Sequence, residues 1–255
     1  MAAYNRDMRQ RPFVLSSDPH APFPPAGSAM RDPDGLLAIG GDLSLPRLLN
    51  AYRHGIFPWF SPGQPPLWWS PDPRMVFRTD AVRLSSRFRR ELKKNVWQVR
   101  ADTCFEQVIT ACAQASRPGQ SGTWITSGMR QAYIDLHRSG HAHSVEVFDG
   151  DRLVGGIYGV AIGRMFFGES MFSGCPGGSK IALAALAARL HDWGWPLIDA
   201  QVENPHLHSL GGCLMARATF LEQVAGLVDE PSLDGAWTAR FGLFPAAALS
   251  QAPVP

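Results

Sequence analysis

The chain has 255 residues, of which 45% are hydrophobic and only 18% charged, enough apolar material to bury a core in one large domain or two smaller ones. It contains no run of about 18 apolar residues, which excludes a membrane-spanning helix, and the opening MAAYNRDMRQRPFVL has arginines but no apolar stretch before a cleavage site, so no signal peptide is read. The four cysteines form no C-x-x-C pair and read as reduced thiols of a cytosolic protein, and a net charge of +2 does not by itself announce a nucleic-acid binder.

In chain order, residues 1–75 are rich in proline, glycine and tryptophan. Runs such as DPHAPFPPAG and FPWFSPGQPPLWWSPDPR interrupt any helix or central strand. A short helix over 46–53 is predicted inside a small, loop-rich N-terminal domain (1–75), followed by a larger regular domain (76–255). There the spacing predicts helices over 84–94, 104–114 and 127–138, the last capped by Ser127. Strands follow over 97–100, 144–148, 153–160 and 165–171, with Asp149-Gly150 as a hairpin turn. Ser179 is expected to cap a helix with Leu183, Leu186, Leu190 and Trp193 as its apolar stripe, closed by Gly194. A strand over 197–202 and a helix over 216–227 complete an α+β layer fold.

Asp199 and Gln201 stand two residues apart on an apolar strand, so their side chains share a face. An acid and an amide there, with Glu169 in the same segment, point to a site that orients and activates an attacking amine. The loop GCPGGSK fails the phosphate-loop spacing, because Ser179 separates Gly178 from Lys180. The pairs His141/His143 and His206/His208 lack a third ligand at a metal spacing; a structural role and no metal are predicted. Residues 83–94, RLSSRFRRELKK, hold six basic side chains against one acidic. On one helix Arg87, Arg90 and Lys94 align as a stripe suited to a phosphate backbone. Tryptophans within 57–69 are mostly core, with one or two free to stack a base.

The blocks GLLAIGGDLSLPRLLNAYRHGIFPWFSPGQPPLWWSPDPR, GTWIT, GHAHSVEV, LVGGIYGVA, FFGESMFS, LIDAQ and SLG resemble the leucyl/phenylalanyl-tRNA–protein transferases, in order, from about residue 30 to 220. The resemblance implies a cytoplasmic two-domain enzyme whose larger mixed-sheet domain is similar to the Gcn5-related acetyltransferases. It implies transfer of Leu or Phe, with Met as a further candidate, from aminoacyl-tRNA to proteins with N-terminal Arg or Lys, which then enter N-end-rule degradation. The reaction centre falls on Asp199 and Gln201, and the acceptor-recognising carboxylate on Glu169. Trp59 and Trp124 would hold the terminal adenosine. Ile157, Phe166, Leu183, Leu186, Leu190 and Ile198 would form the amino-acid pocket, with Ser173 as a further substrate contact. Arg87, Arg89, Arg90, Lys93 and Lys94 would meet the acceptor stem. Leu186 and Leu190 stand where some relatives have aromatic rings, and Ile157 where a methionine can occur.

Aminoacyl esters are already activated, so neither a cofactor nor a metal is expected. Two rivals remain open at this point: an acetyl-CoA-dependent N-acyltransferase, and a non-catalytic module that binds tRNA or a degron.

Overall fold

The computed structural model describes residues 11–115, 123–231 and 235–251. Most of the stretch read for a signal peptide, and Gly122 of GTWIT, lie outside these residues.

The proline-rich N-terminal part forms a four-stranded sheet. Strand β1 (Phe13–Leu15) runs parallel to β2 (Leu36–Gly40), which pairs antiparallel with β4 (Leu67–Trp69), and β4 with β3 (Phe57–Pro58). Helix α1 (Leu45–Arg53) lies between β2 and β3 with Pro46 in its first turn, where a missing N–H leaves no bond unmade. It buries Leu48, Ala51 and Tyr52. Its Arg47, also buried, donates to the carbonyls of Ser16 and Asp18 and so pins the loop that follows β1.

From Arg74 onward the chain builds an eight-stranded mixed sheet. Its strands are β5 (Arg74–Arg78), β6 (Gln98–Ala101), β7 (Ala142–Asp149), β8 (Arg152–Ile162), β9 (Met165–Ser173), β10 (Leu197–Gln201), β11 (Cys213–Met215) and β12 (Phe244–Pro245), in spatial order β11-β5-β10-β9-β8-β7-β6-β12. Among the described residues of this sheet, only the β9–β10 pairing is parallel. This is the α+β architecture expected, a small N-terminal domain beside a larger mixed-sheet domain.

Strand alternation sorts the core into two layers. On one face Met165, Phe167 and Leu197 join α1, α3 (Phe105–Gln114), α4 (Ser127–Arg138) and α7 (Arg217–Val228). On the other, Phe166 and Ile198 join α5 (Gly178–Asp192) and α8 (Thr238–Phe241), with Trp195 and Trp237. The small sheet and α1 therefore pack on the first face, as the shared cluster of Leu37, Leu48, Trp68 and Phe167 records.

Three helices differ from expectation at the N-terminus by more than one residue or in the capping group. Helix α2 (Ser86–Leu92) is shorter than 84–94, capped by the Ser85 side chain. Thr126, not Ser127, caps α4. Helix α5 begins on glycines instead of at Ser179: Gly177 is left-handed (φ +91°), and Gly178 lies so close to β8 that a Cβ on Gly155 would come within 2.4 Å of its carbonyl carbon. Ser179 is one residue into the helix, and its N–H donates to Ser173 Oγ on β9 at 2.9 Å. A strand hydroxyl thus does the capping that glycine cannot.

Candidate active site

Two neighbouring strands are irregular at the same level of the sheet. Tyr158 pairs with Ser170 but Gly159 with Gly168, so Glu169 is the extra residue of a bulge in β9. Asp199 pairs with Val76 but Gln201 with Met75, so β10 bulges at Ala200. Strand β9 continues to Ser173, yet its pairing with β10 ends at Phe167 and Asp199. Gly159 permits the first bulge, since a Cβ there would lie 2.2 Å from the Phe167 carbonyl oxygen.

Beside this gap lies a cavity of about 100 Å³. Phe77, Ile157, Met171, Leu183, Ile198 and Leu207 make its apolar wall, and Glu169 and Asp199 are its acidic lining residues. An apolar wall with an acidic residue at its edge can hold a hydrocarbon side chain with a polar head beside it.

Asp199 is fully buried and held in two hydrogen bonds by Arg74, from Nε at 2.8 Å and Nη2 at 2.7 Å. The guanidinium lies between the rings of Phe57 and Phe220, 4.7 and 4.6 Å from their centroids. Asp199 Oδ1 also accepts the backbone N–H of Gln201 at 2.9 Å. That side-chain turn fits the left-handed backbone of Gln201 (φ +63°), a conformation that disfavours residues with a Cβ by about 1–2 kcal/mol.

The Gln201 amide then reaches Glu169, donating from Nε2 to Oε1 at 2.7 Å. Glu169 also accepts from Tyr52 of α1 at 2.6 Å and Tyr133 of α4 at 2.7 Å. Burial pushes its carboxyl up to about 7, against the pull of these hydrogen bonds; the charge of Asp199 adds to the rise. Both phenols are held well above the usual tyrosine range, first by burial and then by Glu169.

The structure brings Asp199, Glu169, Ile157, Leu183 and Ile198 together around this cavity, with Gln201 bound to Glu169. Phe166, Leu186 and Leu190 do not line it; they are packed in the layer behind, each at most 1% exposed. Ser173 lies at the far end of β9, engaged with Ser179. Trp59 sits at the rim of the small sheet, with its carbonyl accepting from Trp69 Nε1. Trp124 is half-buried against the first core layer.

On α2, Arg87 pairs with Glu91 at 3.0 Å, while Arg90 and the following Lys93 and Lys94 are exposed. Arg89 is half-buried and, with Arg83, Ser85 and Ser86, lines a groove of about 510 Å³ against α5. His206 and His208 fall on the short helix α6 (Pro205–Ser209), not a strand, and His208 bonds Glu203. His143 on β7 bonds the Asp102 carboxylate and stacks on Trp237. Among the described residues no group of three or more His, Cys, Asp or Glu is placed to hold a metal.

Sequence reasoning missed Arg74, Tyr52 and Tyr133, and the cavity-lining Phe77, Met171 and Leu207. Tyr52, Tyr133 and Met171 lie on elements whose local pattern reads as ordinary core, Arg74 and Phe77 on a strand that follows a proline-rich run, and Leu207 on the short helix PHLHS, none of whose residues is buried.

The chain is similar to known proteins along nearly its whole length. The model of the leucyl/phenylalanyl-tRNA protein transferase family matches residues 76–225, and that of its N-terminal domain residues 41–72. A leucyl/phenylalanyl-tRNA–protein transferase of Xanthomonas axonopodis pv. citri is 70% identical over 96% of this chain and 98% of its own length. That of Xylella fastidiosa is 62% identical over 92% and 97%. Among solved structures, L-PGS from Bacillus licheniformis is similar at a TM-score of 0.36 and 9% identity, covering 66% of this chain and 53% of its own. Identity sustained at this level along both domains makes this chain an enzyme, an aminoacyltransferase that belongs to the leucyl/phenylalanyl-tRNA–protein transferase family.

Proposed function

We propose that the chain moves leucine or phenylalanine, with methionine a further donor, from aminoacyl-tRNA to the N-terminal Arg or Lys of acceptor proteins in the cytoplasm, marking them for N-end-rule degradation. The observation that supports this most is the apolar cavity of about 100 Å³ that meets Glu169 at the gap between β9 and β10. A leucyl side chain in it would leave the ester carbonyl beside the Gln201 amide. Cavities of about 150 Å³ hold a benzene ring, so a cavity of about 100 Å³ would favour leucine and would take phenylalanine only if its wall gives.

In the reaction the acceptor's neutral α-amine adds to the ester carbonyl, the C–N bond forms, and the ribose oxygen leaves with a proton. Gln201 Nε2 is engaged by Glu169, which leaves the amide oxygen to accept an amine N–H and aim its lone pair. Asp199 has both oxygens engaged by Arg74. Its role is therefore positioning: it fixes the turn that presents Gln201. Glu169 faces the acceptor's cationic end. Holding ester and amine in register contributes up to about 7–11 kcal/mol in favourable cases.

The small domain of residues 1–75 brings Trp59, which with Trp124 would stack the terminal adenosine. The exposed Arg90, Lys93 and Lys94, with Arg87 and Arg89, would meet the acceptor stem. Against an acetyl-CoA reading, the amides a pyrophosphate needs at the start of α5 are occupied: Gly178 N–H by the Cys175 carbonyl and Ser179 N–H by Ser173 Oγ. The ring of Phe88 also covers Gly177.

Transfer of labelled leucine from charged tRNA to a peptide beginning with arginine tests this reading. Acetyl-CoA binding measured in parallel by calorimetry separates the first rival. A single-turnover assay without product would favour the binding-module reading.

A further inference from the structure

Three oxygens meet beside the cavity. Tyr52 Oη lies 2.6 Å from Glu169 Oε1, Tyr133 Oη 2.7 Å from Oε2, and the two phenol oxygens 2.5 Å from each other. Each side of this ring is a hydrogen-bond distance, and each hydrogen bond needs its own proton. The phenols bring one proton each, and both hold it far above neutrality. With a carboxylate at Glu169 both phenols donate to it, and their own oxygens face each other with lone pairs alone. One more proton closes the ring. The Oε2 hydroxyl then donates to Tyr133, Tyr133 to Tyr52, and Tyr52 to Oε1, which keeps its bond from Gln201 Nε2.

The surroundings favour that extra proton. Tyr52 from α1, Tyr133 from α4 and Gln201 from β10 bond Glu169, Asp199 of β10 is its charged neighbour, and Tyr158 of β8 packs on Tyr133. None is a cation. Arg74 of β5 is bound to Asp199 through two nitrogens. Burial and the neighbouring Asp199 both oppose a second negative charge.

We propose that Glu169 is a neutral acid in the free enzyme, and that the cationic N-terminal residue of an acceptor binds in exchange for its proton. This rests on the reading of Glu169 as the carboxylate that faces the acceptor. The exchange is balanced: the O–H bond of the carboxyl breaks, the proton passes to solvent, and the carboxylate forms an ion pair with the incoming ammonium or guanidinium. Tyr52 and Tyr133 then both donate to the carboxylate. An acceptor with a neutral first side chain offers nothing in return for the proton and meets an uncharged wall, so the ring acts as a filter for basic N-termini.

Two measurements on the full-length enzyme test this. The first is the infrared difference spectrum between the free wild-type protein and Glu169→Gln. A protonated-carboxyl band assignable to Glu169 at about pH 6, fading toward about pH 8.5, is expected for a group of this kind. Absence of that band at about pH 6 overturns the neutral acid. The second needs no variant: calorimetric titration of the wild type with an arginine-initiated peptide in two buffers of different ionisation enthalpy. Release of close to one proton per peptide at about pH 6, falling toward zero at about pH 8.5, is expected, with affinity rising up to tenfold per pH unit below the Glu169 range. Binding of the arginine peptide without proton release while the band is present overturns the exchange. Equal binding of arginine- and alanine-initiated peptides would overturn the acceptor reading of Glu169 itself and the exchange with it. The infrared band is independent of that result.

Discussion

Arg74 and Asp199 form a fully buried ion pair in which both carboxylate oxygens are bound, one by Nε and one by Nη2, between the rings of Phe57 and Phe220. The pair joins three parts of the molecule: Phe57 from the small sheet, Phe220 from α7, and β10, which carries Gln201. Breaking a buried pair from one side strands the other charge, at a cost of about 3–5 kcal/mol. Asp199→Ala is therefore expected to lose both stability, by about that amount, and transfer, by at least about 100-fold from misplacement of Gln201. Asp199→Asn keeps an oxygen for the Gln201 N–H and should destabilise less while still impairing transfer. Denaturant unfolding and single-turnover transfer, run on both variants, check this; full activity in the Asn variant would contradict a role for the charge.

Gln201 combines a left-handed backbone with a side chain bound to Glu169. Gln201→Ala and Gln201→Gly both remove the amide, but only glycine accepts φ +63° without penalty. The glycine variant should be the more stable of the two by up to about 1 kcal/mol. Both should lose transfer alike. A glycine variant less stable than the alanine one would show that the backbone there relaxes freely.

Leu183 lines the cavity from α5 and is buried. Leu183→Ala removes three carbons from the wall, which should cost about 2–5 kcal/mol of stability. It should also raise the phenylalanine-to-leucine ratio of kcat/KM by roughly tenfold. Competition between the two charged tRNAs measures that ratio directly. An unchanged ratio would place the donor side chain elsewhere.

Glu169 is pushed up to about 7 from an ordinary 4.5, mainly by burial. Between these values the folded protein holds a proton that the unfolded chain has released. Stability from this group therefore declines as pH rises from 4.5 toward 7, by up to about 3 kcal/mol in total. Glu169→Gln removes that decline, so its stability relative to wild type should be greater at about pH 8 than at about pH 5. Buried Glu146, also raised to about 7 by burial, remains in the variant and leaves a residual slope. Parallel stability curves for wild type and variant would contradict the shift.

The basic segment and the tryptophans should separate when tested with two donors. Reversing charge at Arg90, Lys93 and Lys94 should weaken intact aminoacyl-tRNA and flatten its salt dependence, since phosphate contacts release counterions. A short aminoacyl-adenosine analogue should be affected little. Trp59→Ala or Trp124→Ala should impair both donors, because a stacked base contributes about 1–3 kcal/mol whatever is attached to it. A charge-reversed segment that harms the analogue as much as tRNA would undo this division.

The sequence by itself determined the central run of the larger domain, from β7 to β10, but not the strands of the proline-rich part, where β4 is an internal strand, nor β5, β11 and β12. The Asp149-Gly150 hairpin, the β8–β9 pair, the helix after GCPGG and the strand LIDAQ all follow from local periodicity and turn chemistry, which act over a few residues. It also placed Glu169, Asp199 and Gln201 in one segment, because acids and amides stand out against apolar strands. Only the tertiary structure decided what those groups do. Arg74 lies more than a hundred residues before Asp199, and Tyr52 and Tyr133 come from helices on either side of α3. No short-range pattern distinguishes them from ordinary core residues. Alternation alone places Asp199 and Gln201 side by side as equals. The bulge at Ala200 and the buried Arg74 instead make one an anchor and leave the other facing Glu169. Likewise, an apolar stripe on α5 identifies the buried face of a helix, but which of its leucines borders a cavity depends on where β9 and β10 part. That separation is set by two bulges whose backbone pairing is non-local, and so it is decided only when the sheet is assembled.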